Sequence, residues 1–209
     1  MNTLETMNCF VSSISTIEKT EFLNSVNSVV SEELNFVKNN SEVCDLYHTG
    51  DISQDDRISE FSSYVGSTAW NILKAQGYKM QNKNVFFESM WCQEYAQNSY
   101  MPEHVHPNNG AQLVGFYFLE CSEDCPVAIF HDPRPGKVQI SMEQENNNEI
   151  TYGSNNINIK PKAGLLVFTN AWLPHSFSQN KSNKVFKFIH FNVGVSDAPL
   201  NIIQQAEVI

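Results

Sequence analysis

Three of the six histidines in this chain are spaced for metal chemistry. His104 and His106 stand two apart in the stretch Glu103, His104, Val105, His106, Pro107. Residues i and i+2 of a strand project to the same face, so both imidazoles can aim at one point. A third, His175, follows a turn over residues 170–174. Imidazole suits iron, zinc, copper and nickel, and three ligands on one side of an ion leave positions open for substrate and oxygen. The competing reading of a His-x-His pair is two ordinary surface or core histidines. His48 reads as a loop residue and His131 as a strand-end histidine beside Asp132. His190, alternating with Phe188 and Asn192, reads as a core histidine.

These residues need a scaffold. The chain has 209 residues, enough for one domain that buries roughly 70% of its unfolded surface without help from disulfide or metal. Hydrophobic residues make up 41%, which argues against disorder of the whole chain. Thirteen Lys and Arg against 23 Asp and Glu give a net charge of −10, with no basic run, which argues against a nucleic-acid partner. No apolar run reaches membrane-span length. The first ten residues lack the basic and apolar regions of a signal peptide. With five cysteines, an odd number, the expectation is reduced thiols in the cytoplasm. Cys121 and Cys125, four apart, are a lesser candidate for a disulfide or zinc.

Periodicity divides the chain. Phe22, Val26, Val29, Val30, Leu34 and Val37 recur at steps of three and four and predict a helix over 18–40, with Thr16 as a plausible cap. A loop over 41–56 precedes a second helical pattern over 57–76, carried by Ile58, Phe61, Val65, Ala69, Ile72 and Leu73 and closed by Gly77. Beyond it, runs over 85–96, 112–119, 127–132, 138–142, 150–159, 165–169 and 185–193 are rich in Val, Ile, Phe and Tyr and separated by Gly, Pro, Asn and Ser. Many short strands at such spacing predict a sandwich or barrel. The organisation expected is a helical buttress over 1–80, a β core over 81–196 and a tail over 197–209, all one domain.

In the β region the chain resembles the iron(II)/2-oxoglutarate-dependent oxygenases, closest to a branch of small bacterial and phage members. The resemblance is carried, in order, by residues 104–109 (HVHPNN), 115–119 (GFYFL), 130–134 (FHDPR), 162–168 (KAGLLVF), 173–175 (LPH) and 187–192 (KFIHFN). It covers about half the chain and implies a mainly β fold with N-terminal helices, a double-stranded β-helix (jelly roll) with the metal at its mouth. It also implies iron(II), 2-oxoglutarate as co-substrate and dioxygen. The family's ligand pattern is His-x-Asp or His-x-Glu, then a distant His. Here His104, His106 and His175 fall on those positions, so an imidazole replaces the carboxylate. Asp132 is a possible oxygen ligand from a neighbouring strand, whereas Glu103 should point away from the site.

The resemblance also implies a basic residue downstream of the distal histidine, pairing with the far carboxylate of 2-oxoglutarate. Lys184 lies in a polar turn and should be solvated. Lys187 has apolar neighbours on both sides and is the favoured anchor, with pairing to a structural acid as the alternative. Arg134 is a second cation near the presumed mouth, for substrate or co-substrate, or simply a turn contact to Asp132. Tyr117 and Asn108 are further candidates to reach the co-substrate. Trp91 and Trp172 read as packing residues, Trp172 close enough to His175 to line a substrate pocket.

The leading expectation is therefore an iron(II)/2-oxoglutarate dioxygenase that hydroxylates a small-molecule or peptide substrate and releases succinate and carbon dioxide. One alternative is a cupin-like three-histidine metalloprotein that does not use 2-oxoglutarate. Another is a jelly roll that binds or supports without turnover. Substrate identity and oligomeric state stay open at this stage.

Overall fold

Both helical stripes fold as their spacing demands. The computed structural model describes residues 3–9, 12–106, 110–139 and 142–198. Two strands come first, β1 (Glu5–Cys9) and β2 (Ser12–Glu18), paired as a hairpin. Helix α1 (Leu23–Asn40) buries Val26, Val29, Val30 and Leu34. After the short strand β3 (Leu46–His48), α2 (Ser59–Ala75) buries Phe61, Val65, Ala69, Ile72 and Leu73. Gly77 sits just beyond α2 with φ of +93°, a left-handed backbone that disfavours any residue with a Cβ.

The remaining elements are β4 (Lys83–Tyr95), β5 (Met101–His104), β6 (Ala111–Glu120), β7 (Ala128–His131), α3 (Pro135–Gln139), β8 (Asn156–Ile159), β9 (Leu165–Asn170), β10 (His175–Phe177) and β11 (Phe186–Asp197). They form a seven-stranded sheet, β1-β2-β9-β6-β11-β4-β3, and a four-stranded sheet, β5-β10-β7-β8. Every pairing is antiparallel. This is a double-stranded β-helix with helices on the outer face of the larger sheet.

The larger sheet is buried on both faces. Its inner face contributes Phe116, Phe118, Phe186 and Phe188 to one core cluster, joined by Phe130 and Phe177 of the smaller sheet. Its outer face contributes Leu113, Tyr117, Ile189 and Phe191 to a second cluster under α1 and α2. Parity along β11 sorts its residues, with Phe186, Phe188 and His190 facing inward and Lys187 and Ile189 facing the helices.

Three features depart from the expected organisation. Residues 5–18 add two strands to the larger sheet, so the N-terminal region is not purely helical. The strand expected over 138–142 gives way to the end of α3 at 138–139, and residue 142 has no regular structure. The expected strand over 150–159 shortens to β8, because residues 151–154 turn on themselves through the Ser154 hydroxyl, bonded by the Thr151 N–H at 2.9 Å. Most of the expected C-terminal tail lies outside the described residues.

Candidate metal centre

Strand pairing brings the three histidines together. His104 ends β5 and His175 opens β10, and the two are direct register partners. His106, just beyond β5, is held by its backbone N–H donating to the Ala171 carbonyl at 2.8 Å. The ring centroids of His104 and His175 are 4.5 Å apart, those of His104 and His106 5.0 Å, and those of His106 and His175 5.2 Å. One ligand nitrogen from each lies within 4.8 Å of the others. One ion can span such a set.

The protonation states suit a metal. The Nδ1 atoms of His104 and His175 lie 2.9 and 3.0 Å from the carbonyls of Pro102 and Leu173, contacts only an N–H can make favourably. Such bonds fix the tautomer and leave Nε2 as the electron-pair donor. The Nε2 atoms of His106 and His175 are buried and have no partner among the described residues. Burial, reinforced by neighbouring imidazoles, pulls His106 down to about 4 and His175 down to about 3. Both rings are therefore neutral near pH 7, as a ligand must be. Unpaired, neutral and convergent, these nitrogens fit an iron(II) ion.

A fourth histidine closes the back of the group. His190 lies 4.8 Å from His106 and 6.5 Å from His175, centroid to centroid. Phe116 stacks on it at 4.9 Å and Trp91 packs edge-on at 4.5 Å. The alternation with Phe188 and Asn192 marks it as inward-facing, but no local signal reveals that inward means toward the triad.

Several predicted site residues lie elsewhere. Lys187 faces the helices, not the barrel interior. Its Nζ donates to Glu120 at 2.6 Å and lies 3.8 Å from Glu94, which also binds Lys38 of α1 at 2.5 Å. It is a structural cation tying sheet to helix layer, and the assignment to the co-substrate carboxylate is corrected. Tyr117 also faces the helices, its hydroxyl donating to the Lys19 carbonyl at 2.6 Å and its ring against Phe61 at 4.8 Å, so it does not reach the site. Asp132 is outside the convergent set. Burial raises its carboxyl, but the bonds from Arg134 outweigh this and hold it below the ordinary range.

Arg134 grips Asp132 in a fork, Nε to Oδ1 at 2.9 Å and Nη2 to Oδ2 at 2.7 Å, and also reaches the Tyr152 carbonyl at 3.2 Å. Glu103 points away as expected, lying 3.7 Å from His131. His131 bonds Ser176 at 2.8 Å rather than Asp132. Trp172 is 42% exposed, so it does not pack as expected. Asn108 lies outside the described residues.

Behind the triad the barrel is aromatic. Phe116, Phe118, Phe177, Phe186 and Phe188 are 0–3% exposed and pack with centroid separations of 4.8 to 6.3 Å. None of these five can pair with a carboxylate.

Residues 89–192 match the family described as "Putative 2OG-Fe(II) oxygenase". No curated protein matches the chain. Among solved structures, the non-heme alpha ketoglutarate dependent carbocyclase SnoK from nogalamycin biosynthesis is similar, with a TM-score of 0.58 at 12% identity, over 89% of this chain and 82% of that one. The epimerase SnoN, solved with Fe3+, alpha ketoglutarate and nogalamycin RO, gives 0.54 at 11% identity, over 90% and 82%. A Pseudomonas putida prolyl-4-hydroxylase gives 0.53 at 10% identity, over 86% and 91%.

Proposed function

Since residues 89–192 belong to the iron(II)/2-oxoglutarate-dependent oxygenase superfamily, we propose that the chain is an iron(II)-dependent dioxygenase that hydroxylates a small-molecule or peptide substrate. The observation that carries this reading is the set of convergent ligand nitrogens on His104, His106 and His175, with those of His106 and His175 buried and unpartnered. With dioxygen, iron(II) and 2-oxoglutarate supply the oxidation, one oxygen atom entering a C–H bond and the other entering succinate as carbon dioxide leaves. The chain's own residues would hold the ion on one face, keep the His106 and His175 imidazoles neutral by burial and exclude water from the rear with phenylalanine.

Lys187 is not the anchor for the far carboxylate in this proposal. Of the cations weighed from the sequence, Arg134 would take that role, and only by releasing the Asp132 carboxylate that its guanidinium grips in a fork. The cytoplasmic setting belongs to this proposal and rests on the cysteine count of the sequence. Among the described residues no helix is long and apolar enough to cross a membrane.

His175→Ala tests the reading. The variant should stay folded by circular dichroism and lose iron-dependent conversion of 2-oxoglutarate to succinate. Unchanged turnover refutes the assignment. A second reading is favoured by the phenylalanine-filled interior and the outward Lys187: a cupin-like three-histidine metalloprotein that does not use 2-oxoglutarate. Iron binding that is indifferent to 2-oxoglutarate would select it.

A further inference from the structure

We infer that His190 accepts a hydrogen bond from solvent bound to the metal of the three-histidine centre. This rests on the proposal above only in requiring that the triad hold a metal.

The imidazole is 3% exposed and its two nitrogens differ sharply. Nδ1 lies 3.0 Å from the Gly115 carbonyl, so it carries the proton. Nε2 is then a lone pair, and it is buried with no partner. The adjoining groups offer it no hydrogen bond. Phe116 and Trp91 meet it as rings, and His106 presents another unpartnered Nε2. Among the described residues none donates to it, and unpaired buried acceptors are unfavourable, so bound solvent is the donor that fits.

Geometry separates a second-layer acceptor from a fourth ligand. The triad rings are 4.5 to 5.2 Å apart. His190 is not in that convergent set, whose ligand atoms all lie within 4.8 Å of one another, whereas two nitrogens on one ion at about 2.1 Å stand at most about 4.2 Å apart. It is set back from where a ligand on the same ion would stand. A metal–oxygen bond of about 2 Å followed by an O–H···N bond of roughly 2.7–3.2 Å spans such an offset. The ring cannot swing aside easily, because Gly115 fixes one end while Phe116 and Trp91 hold its faces. His190 is thus a positioning residue, which selects the open position that solvent takes and orients that solvent's lone pair toward the ion.

The test is a crystal structure of the full chain loaded with Co(II), with Co(II) titrations of the wild type, His190→Phe and His190→Gln. The expected structure shows a metal-bound oxygen within about 3.2 Å of His190 Nε2. His190→Phe should lose roughly 10-fold in Co(II) affinity, the lower end for a second-layer partner, with altered visible d–d bands. His190→Gln, whose amide oxygen can accept, should recover most of both. Direct His190–cobalt coordination, or no solvent between them, overturns the inference, as does a folded His190→Phe with unchanged spectrum and affinity. In those cases metal on the triad leaves the proposed function standing. No metal on the triad overturns both.

Discussion

Replacing Lys187 by methionine separates a structural cation from a co-substrate anchor. The ammonium is 10% exposed, and its bond to Glu120 at 2.6 Å is half in water, since the Glu120 side chain is 48% exposed. An ion pair in that setting contributes roughly 1 kcal/mol at most. The contact to Glu94 is buried but long, at 3.8 Å, and Glu94 keeps Lys38 at 2.5 Å. Its loss is therefore a fraction of the ~3–5 kcal/mol seen when a buried charge is left alone. Methionine retains most of the apolar stem. Together these give about 1–2 kcal/mol of destabilisation, or roughly 2–8 °C in Tm for a chain of this size. Thermal and urea unfolding measure the loss, and a 2-oxoglutarate titration of the iron-loaded variant measures the anchor. The structural role predicts lowered stability with unchanged 2-oxoglutarate affinity. Unchanged stability with a tenfold or larger loss of affinity would refute the reasoning.

Three further outcomes are expected. Gly115→Ala would put a Cβ 2.4 Å from the Val167 carbonyl oxygen and 2.2 Å from the Phe191 ring, so it should cost about 2–3 kcal/mol by denaturant unfolding. Asn180→Ala removes an amide that donates to the carbonyls of Tyr95, Ala96 and Lys184 at 3.0–3.2 Å, and should destabilise the fold by about 2–3 kcal/mol in the same assay. In metal-free protein His106 and His175 stay neutral to about 4 and about 3, whereas unfolded histidine takes a proton near 6.5. Below that value the unfolded state binds more protons, so stability should fall as pH drops from about 6.5 toward 4, with no contribution from these two rings to the slope above it. A metal-free stability that is flat from pH 7 to 4.5 contradicts those buried, neutral rings.

Much of the site was legible because it depends on local pattern. The i, i+2 spacing of His104 and His106 aims both rings at one spot even though His106 lies just beyond β5, and His175 follows a turn that the sequence marks. The stripes of α1 and α2 were equally plain, since each buries one face. Lys187, Tyr117 and His190 mark where the sequence stops being informative. β11 and β6 are apolar on both sides because helices cover the outer face of the sheet, so alternation cannot say which side is the barrel interior. A lysine amid Phe186, Phe188 and Ile189 looks as if it must face a ligand; only the fold reveals Glu120 and Glu94 beneath it. His190 has the same ambiguity with the opposite outcome. The β1–β2 hairpin was missed because its run of Ser, Thr and Ile has weak alternation and takes its register from β9, far along the chain.

In the proposed function His104, His106 and His175 hold iron(II) and present it to 2-oxoglutarate. Anaerobic titration of the full chain with iron(II), then 2-oxoglutarate, followed by visible absorption, tests it most directly. The expected result is a charge-transfer band that requires both additions, persists in Lys187→Met and vanishes in His175→Ala. Iron binding without that band, or a band that survives in His175→Ala, would contradict it.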